Sequence, residues 1–160
     1  MNKQKVLQLI YESIRLELNA ASLYQLFYNL FPEDSQFWWK LMIEEKGHAA
    51  LLETGKDSFL PMDKFPVSLL AKSINEVKAA NNELEELIEK FENNPPTREE
   101  AFTTAYNLEN SAGEIHFQRF VDGESKSHME RIFQKLIRED KDHELKLKEY
   151  MLKNNIHLIE

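Results

Sequence analysis

Cysteine is absent from the 160 residues, which removes disulfides, thiolate zinc sites and iron–sulfur clusters from the chemistry they can support. Any metal here must be held by nitrogen and oxygen. Glycine and proline are scarce, at 4 and 5 residues, while Leu, Glu, Lys and Ala abound, a balance that favours long helices over short strands and tight turns. No long apolar run is found at the start. The opening MNKQKVLQLIYESIRLEL interleaves charged and apolar residues, unlike the continuous hydrophobic stretch of a signal peptide or a membrane span. Positive charge is also in deficit, with 20 Lys and Arg against 28 Asp and Glu, a net charge of −8 and a pI near 5.2. Nucleic acids and anionic membranes attract concentrated basic surfaces, so neither is expected as a partner. These bounds predict a single all-α domain spanning residues 1–160, cytoplasmic, with enough chain to bury a core around an internal site.

Turn formers divide the chain. Phe31-Pro32-Glu33-Asp34-Ser35, the stretch from Gly55 to Pro66, Asn93-Asn94-Pro95-Pro96-Thr97 and Asp122-Gly123-Glu124-Ser125 are the breaks. They leave helical segments at about residues 3–31, 35–54, 67–92, 97–121 and 126–153. Ser35 or Asp34 can cap the second segment, and Thr97 followed by Glu99 and Glu100 can start the fourth by engaging free backbone N–H groups. The segment 67–92 is amphipathic but has no His and no carboxylate on its apolar stripe, so it reads as a connector helix. A connection of that length allows the long crossover of a four-helix bundle rather than short up-and-down loops.

An internal repeat carries the chemistry. KLMIEEKGH at 40–48 is matched by KLIREDKDH at 135–143, each with a carboxylate three residues before a His: Glu45 with His48, and Asp140 with His143. Positions three apart lie on adjacent turns of one helix face, so both side chains can reach a single ion. A solvated acid–His pair is common, and it should fall away from the buried side. Both pairs here fall within the apolar stripes, which run Trp38, Leu41, Glu45, His48, Leu52 and Met129, Phe133, Leu136, Asp140, His143, Leu147, Met151. The first segment steps Ile10, Ile14, Glu17, Ala21, Tyr24, Tyr28, Phe31, and the fourth steps Phe102, Tyr106, Glu109, Gly113, His116, Phe120, each with a Glu mid-stripe.

The bundle helices therefore aim the carboxylates of Glu17, Glu45, Glu109 and Asp140 and the imidazoles of His48 and His143 at one core. Burying such charges without partners costs several kcal/mol each. No Lys or Arg lies on the stripes, whereas two divalent cations would balance the carboxylates. Oxygen and imidazole ligands suit iron or manganese, and also zinc.

Taken together, these positions resemble the rubrerythrin-like branch of the ferritin-like superfamily, over nearly the whole chain. The resemblance implies Glu17, Glu45 and His48 on one iron and Glu109, Asp140 and His143 on the other, with Glu45 and Asp140 bridging and Glu17 and Glu109 terminal. It implies a non-haem di-iron oxidoreductase that reduces H2O2 or O2. Departures from the family pattern shape that expectation. Asp140 is one methylene shorter than the usual Glu. Its neighbour Glu139 points roughly 100° away on a helix of 3.6 residues per turn. Ala112 stands where rubrerythrins commonly carry a further Glu. No cysteine is available for a rubredoxin-type centre, so electrons are expected from a separate donor protein or from Fe(II) itself. The alternatives are a ferroxidase or iron-storage protein and, from another class, a metal-free or structural-metal bundle.

Among neighbouring side chains, Tyr24 reads as a core aromatic that also bonds a ligand carboxylate, since a buried phenol needs a partner. His116 occupies the matching place after Glu109 and reads first as a satisfied core histidine, as Tyr106 reads as a core aromatic. Trp38 and Trp39 are adjacent and cannot enter the same core; the outward one could mark a homodimer contact. His128 and His157 are expected in solvent, and the charged run from Arg138 to Glu149 reads as a solvated face.

Overall fold

Helix starts fall where capping chemistry puts them. The computed structural model describes residues 2–111, 119–138 and 143–160, and it is all-helical there, with no strand among the described residues. Helix α1 (Lys3–Leu30) begins after Asn2, whose side chain accepts from the Lys5 N–H. A single 3-10 turn at Pro32–Asp34 leads into α2 (Ser35–Ser58). Helix α3 (Ile74–Asn93) is capped by Ser73, and α4 (Arg98–Glu109) by Thr97, which forms a reciprocal capping box with Glu100. Residues 119–122 are helical; α5 (His128–Arg138) and α6 (His143–Lys153) follow. No helix among the described residues is long and apolar enough to cross a membrane.

The expected boundaries need three corrections, one of them that α4 ends at Glu109, with a turn at Asn110 and a bend at Ser111, where a helix was expected to continue to residue 121. Helix α2 runs one turn past residue 54, and the connector starts at Ile74 rather than 67, the intervening Val67–Leu69 being a 3-10 turn. The α2 extension passes through Gly55, where a Cβ would come within 2.8 Å of Phe65; the missing side chain lets the loop ring close on the helix. Asp34 does not cap α2 through its side chain. Its carboxylate instead accepts from Arg98 Nε and Nη2 at 2.7 and 2.6 Å and from Tyr150 Oη at 2.7 Å, tying the α1–α2 junction to α4 and α6.

Helix α1 packs along α2 on one side and α3 on the other, and α4 packs on α6. The α1–α3 seam is polar as well as apolar. Asn81, fully buried, donates to the Glu12 carbonyl and to Glu12 Oε2, and accepts from Asn19. One end of the core is aromatic: Trp38 sits 4.9 Å from Phe27 and 4.4 Å from Phe102, ring centre to ring centre, with Tyr24 stacked on it. Trp38 is fully buried while Trp39 is 50% exposed, the separation that adjacent helical positions require. Tyr28 and Leu136 leave the expected stripes for the surface, and Phe27 and Ile137 take the buried places. Each substitute is a stripe neighbour one residue away, where the facing helices offer more apolar cover.

Candidate metal centre

Next to the aromatic end, the core turns acidic. Glu17 from the middle of α1, Glu45 and His48 from α2, Glu109 from the last turn of α4 and His143 at the start of α6 are all buried, none more than 5% exposed. Apolar positions one turn away, such as Ile14, Ala21, Leu41 and Leu52, are buried with them, so the packing that buries each stripe carries these polar groups inward.

They assemble into two groups that share a residue. Glu17, Glu45 and His48 offer ligand atoms that all lie within 4.8 Å of one another, and so do Glu45, Glu109 and His143. Glu45 Oε2 lies 3.7 Å from His48 Nδ1, and Glu45 Oε1 lies 2.8 Å from His143 Nδ1. One carboxylate thus turns an oxygen to each side. Glu17 Oε2 stands 3.4 Å from His48 Nδ1, Glu109 Oε1 stands 3.4 Å from His143 Nδ1, and the imidazole ring centres are 5.9 Å apart.

The donor set fits divalent metal ions. Among the described residues, no well-aligned hydrogen bond reaches Glu17 Oε2 or either oxygen of Glu45, although buried polar atoms are otherwise almost always paired. No Lys or Arg is among the buried residues that the structure describes. Carboxylate oxygens facing each other across imidazole nitrogens form a hard oxygen–nitrogen pocket. These buried Glu and His groups could hold a metal ion, and their chemistry does not select which.

Without a cation the centre is electrostatically frustrated. Burial, and then the charge of Glu45, pushes the Glu17 carboxyl well above the usual carboxylate range. Burial also disfavours the charge on Glu45, but the close approach of Glu17 and of His143 outweighs it and holds Glu45 well below that range. Burial opposes a charged His143, yet Glu45, Glu109 and Glu44 overcome it and hold that imidazole well above its usual value. Protons thus occupy the centre where a dication would otherwise neutralise it.

Two side chains at the edge complete the picture. Tyr24 Oη donates to Glu109 Oε1 at 2.5 Å. Glu44 was not singled out by the stripe, being about 100° around the helix from Glu45, but its Oε2 lies 2.5 Å from His143 Nε2 and its Oε1 accepts from Lys146 Nζ at 3.0 Å. The usable signal was the doubled acid in both copies of the repeat, of which only one can lie on the stripe. Lys146 likewise departs from the expected solvated face of residues 138–149, reaching across from α6 to α2. A groove of about 300 Å³ opens beside Glu44, lined by Phe37, Lys40, Leu41, Lys146 and Tyr150 among others.

Asp140, Glu139, Ala112 and His116 lie outside the described residues. Tyr106 is half-buried and its hydroxyl donates to Glu144 at 3.3 Å, away from the carboxylate groups. His128 and His157 are exposed. No protein-family model, curated protein or solved structure gives a significant match to the chain.

Proposed function

We propose that this chain is a ferritin-like four-helix bundle with α3 in its long crossover, and that it works as a rubrerythrin-like non-haem di-iron oxidoreductase reducing H2O2 or O2. The observation that carries the reading is Glu45, whose two oxygens each face a separate Glu–His group. A carboxylate shared in this way between an acid-x-x-His pair and ligands from other helices is the arrangement of di-iron and di-manganese carboxylate bundles.

In this reading Glu17, Glu45 and His48 hold one ion, and Glu45, Glu109 and His143, with Asp140 from the repeat, hold the other. A ferrous pair bound there would supply two electrons to peroxide or O2, replenished by an external donor protein. The protein's part is placement and exclusion. Carboxylates on rigid helices keep the ligands in register, Tyr24 fixes the orientation of Glu109, and the buried apolar neighbours of each ligand keep bulk water and stray reductants out.

The test is anaerobic loading with Fe(II), followed by H2O2 or O2 with a chemical reductant present. Repeated turnover of peroxide or O2 with iron held at about two per chain supports the oxidoreductase. Oxidation of Fe(II) far beyond that ratio, with mineral retained in a large assembly, assigns the ferroxidase and storage reading instead. Unchanged folding with no bound metal returns the chain to a metal-free bundle.

A further inference from the structure

The chain carries a net charge of −8, yet one helix turns a basic face to solvent. Helix α5 buries Phe133, Gln134 and Ile137. On its other side Arg131, Lys135 and Arg138 are spaced by four and three residues, which places them on one face over two turns. All three are exposed, as is His128 one turn before them. Arg15, Lys56 and Lys148 elsewhere stand within ion-pair distance of acids, but no acid among the described residues answers Arg131, Lys135 or Arg138. Glu130, the one carboxylate of α5, is occupied on another side: Oε1 accepts from Ser68 Oγ at 3.0 Å and Oε2 from the Lys126 N–H at 2.6 Å.

Apolar side chains run beside the cations. Ile132 and Leu136 follow Arg131 and Lys135 by one residue, and they are 40% and 50% exposed. Unpaired cations next to exposed branched aliphatic groups are what a protein interface needs: apolar area for its centre, and charge at its rim to steer and orient the partner. The size of the patch selects among anionic partners. Helix α5 has 11 residues, so the stripe is about 16 Å long. A membrane or a nucleic acid is an extended polyanion, and meeting it would also bring up the acidic remainder of the surface. A local acidic patch on another protein meets the stripe alone.

We propose that the outer face of α5, with Arg131, Lys135, Arg138, Ile132 and Leu136, is a docking surface for an acidic protein that presents carboxylates around an apolar side chain. The surface stands apart from the di-metal reading and does not depend on it.

The test is an NMR titration of the full isotope-labelled chain with two synthetic decapeptides, one of Glu only and one with Leu at its two central positions. Amide shifts centred on residues 126–138 are expected, with tighter binding of the Leu-containing peptide and weaker binding of both as the salt rises from about 50 to about 200 mM. An Arg131→Glu, Lys135→Glu variant should bind about 10-fold more weakly or worse, since like charges then face each other. Ile132→Ser with Leu136→Ser should remove only the advantage of the Leu-containing peptide. All four positions are exposed, so the variants keep the packed face of α5. Shifts absent from α5, shifts as large around Lys40 and Lys153, or unchanged affinity in the charge-reversed variant would overturn the proposal. So would tighter binding of phosphatidylserine vesicles or duplex DNA through the same residues, which would give the face to those ligands. A concentration-dependent association of the chain on gel filtration, lost in the charge-reversed variant, would overturn it in favour of a second copy, whose α3 exposes Glu83, Glu86 and Glu89.

Discussion

Asp34 and Glu45 are both buried carboxylates, 1% and 0% exposed, and the protein treats them in opposite ways. Asp34 receives its own cation and its own donors: two bonds from Arg98 and one from Tyr150. Among the described residues Glu45 receives no well-aligned hydrogen bond, and it faces Glu17, His48, Glu109 and His143. The first cluster is complete as a protein structure, and the second is a set of ligands that could hold metal ions. Burial of an acid is therefore not the sign of a metal site. The sign is burial without a basic side chain, aimed at other ligands.

Substitutions break this comparison most sharply at the shared residue. Glu45→Ala should abolish binding of both ions, while Glu17→Gln should remove one, because only Glu45 belongs to both groups. Metal per chain after Zn(II) loading and gel filtration checks this; equal loss from the two variants would contradict the sharing. Asp34→Ala should have the reverse profile. It should cost about 3 kcal/mol, the lower end for breaking a buried pair because Arg98 keeps some solvent access, with metal content unchanged. Denaturant melts of the metal-free and loaded forms measure it.

A pH series separates the two states of the centre. Glu17 and His143 have folded-state values above their usual ones, so the folded metal-free chain holds protons that the unfolded chain releases. That stability is present in mild acid and lost as pH rises through the folded-state values, while the contribution of Glu45, held low, is lost only in stronger acid. The melting temperature of the metal-free chain should fall between about pH 5 and about pH 8. Stabilisation by metal should grow over the same window, since ligands must lose protons to bind. Parallel melting curves with and without Zn(II) would count against this. The smallest effect is expected for Tyr24→Phe: about 1–2 kcal/mol from an unanswered Glu109 oxygen, both ions retained, read by thermal melts of the loaded form.

Much of the centre was legible because helical period and chemistry coincide. Glu17, Glu45, His48, Glu109 and His143 each lie on an apolar stripe, and all are buried. The Thr97 cap and the opposed fates of Trp38 and Trp39 follow from equally local rules. What was not legible depends on long-range partners. Asp34 reads as a helix cap until Arg98 and Tyr150 arrive from far along the chain. The buried place of Asn81 on the connector depends on Glu12 and Asn19, which come from α1. The surroundings of Glu44 depend on His143, which comes to it from α6. Leu136 and Ile137 are equally apolar, so only the facing surface decides which one is buried.

The most direct test of the central claim is iron content after anaerobic reconstitution with Fe(II), compared between the wild type and a Glu45→Ala, His48→Ala double variant. About two irons per chain in the wild type, lost in the variant and oxidised by added H2O2 or O2, is the predicted result. A wild type with no bound iron, folding as well as the variant does, would contradict it.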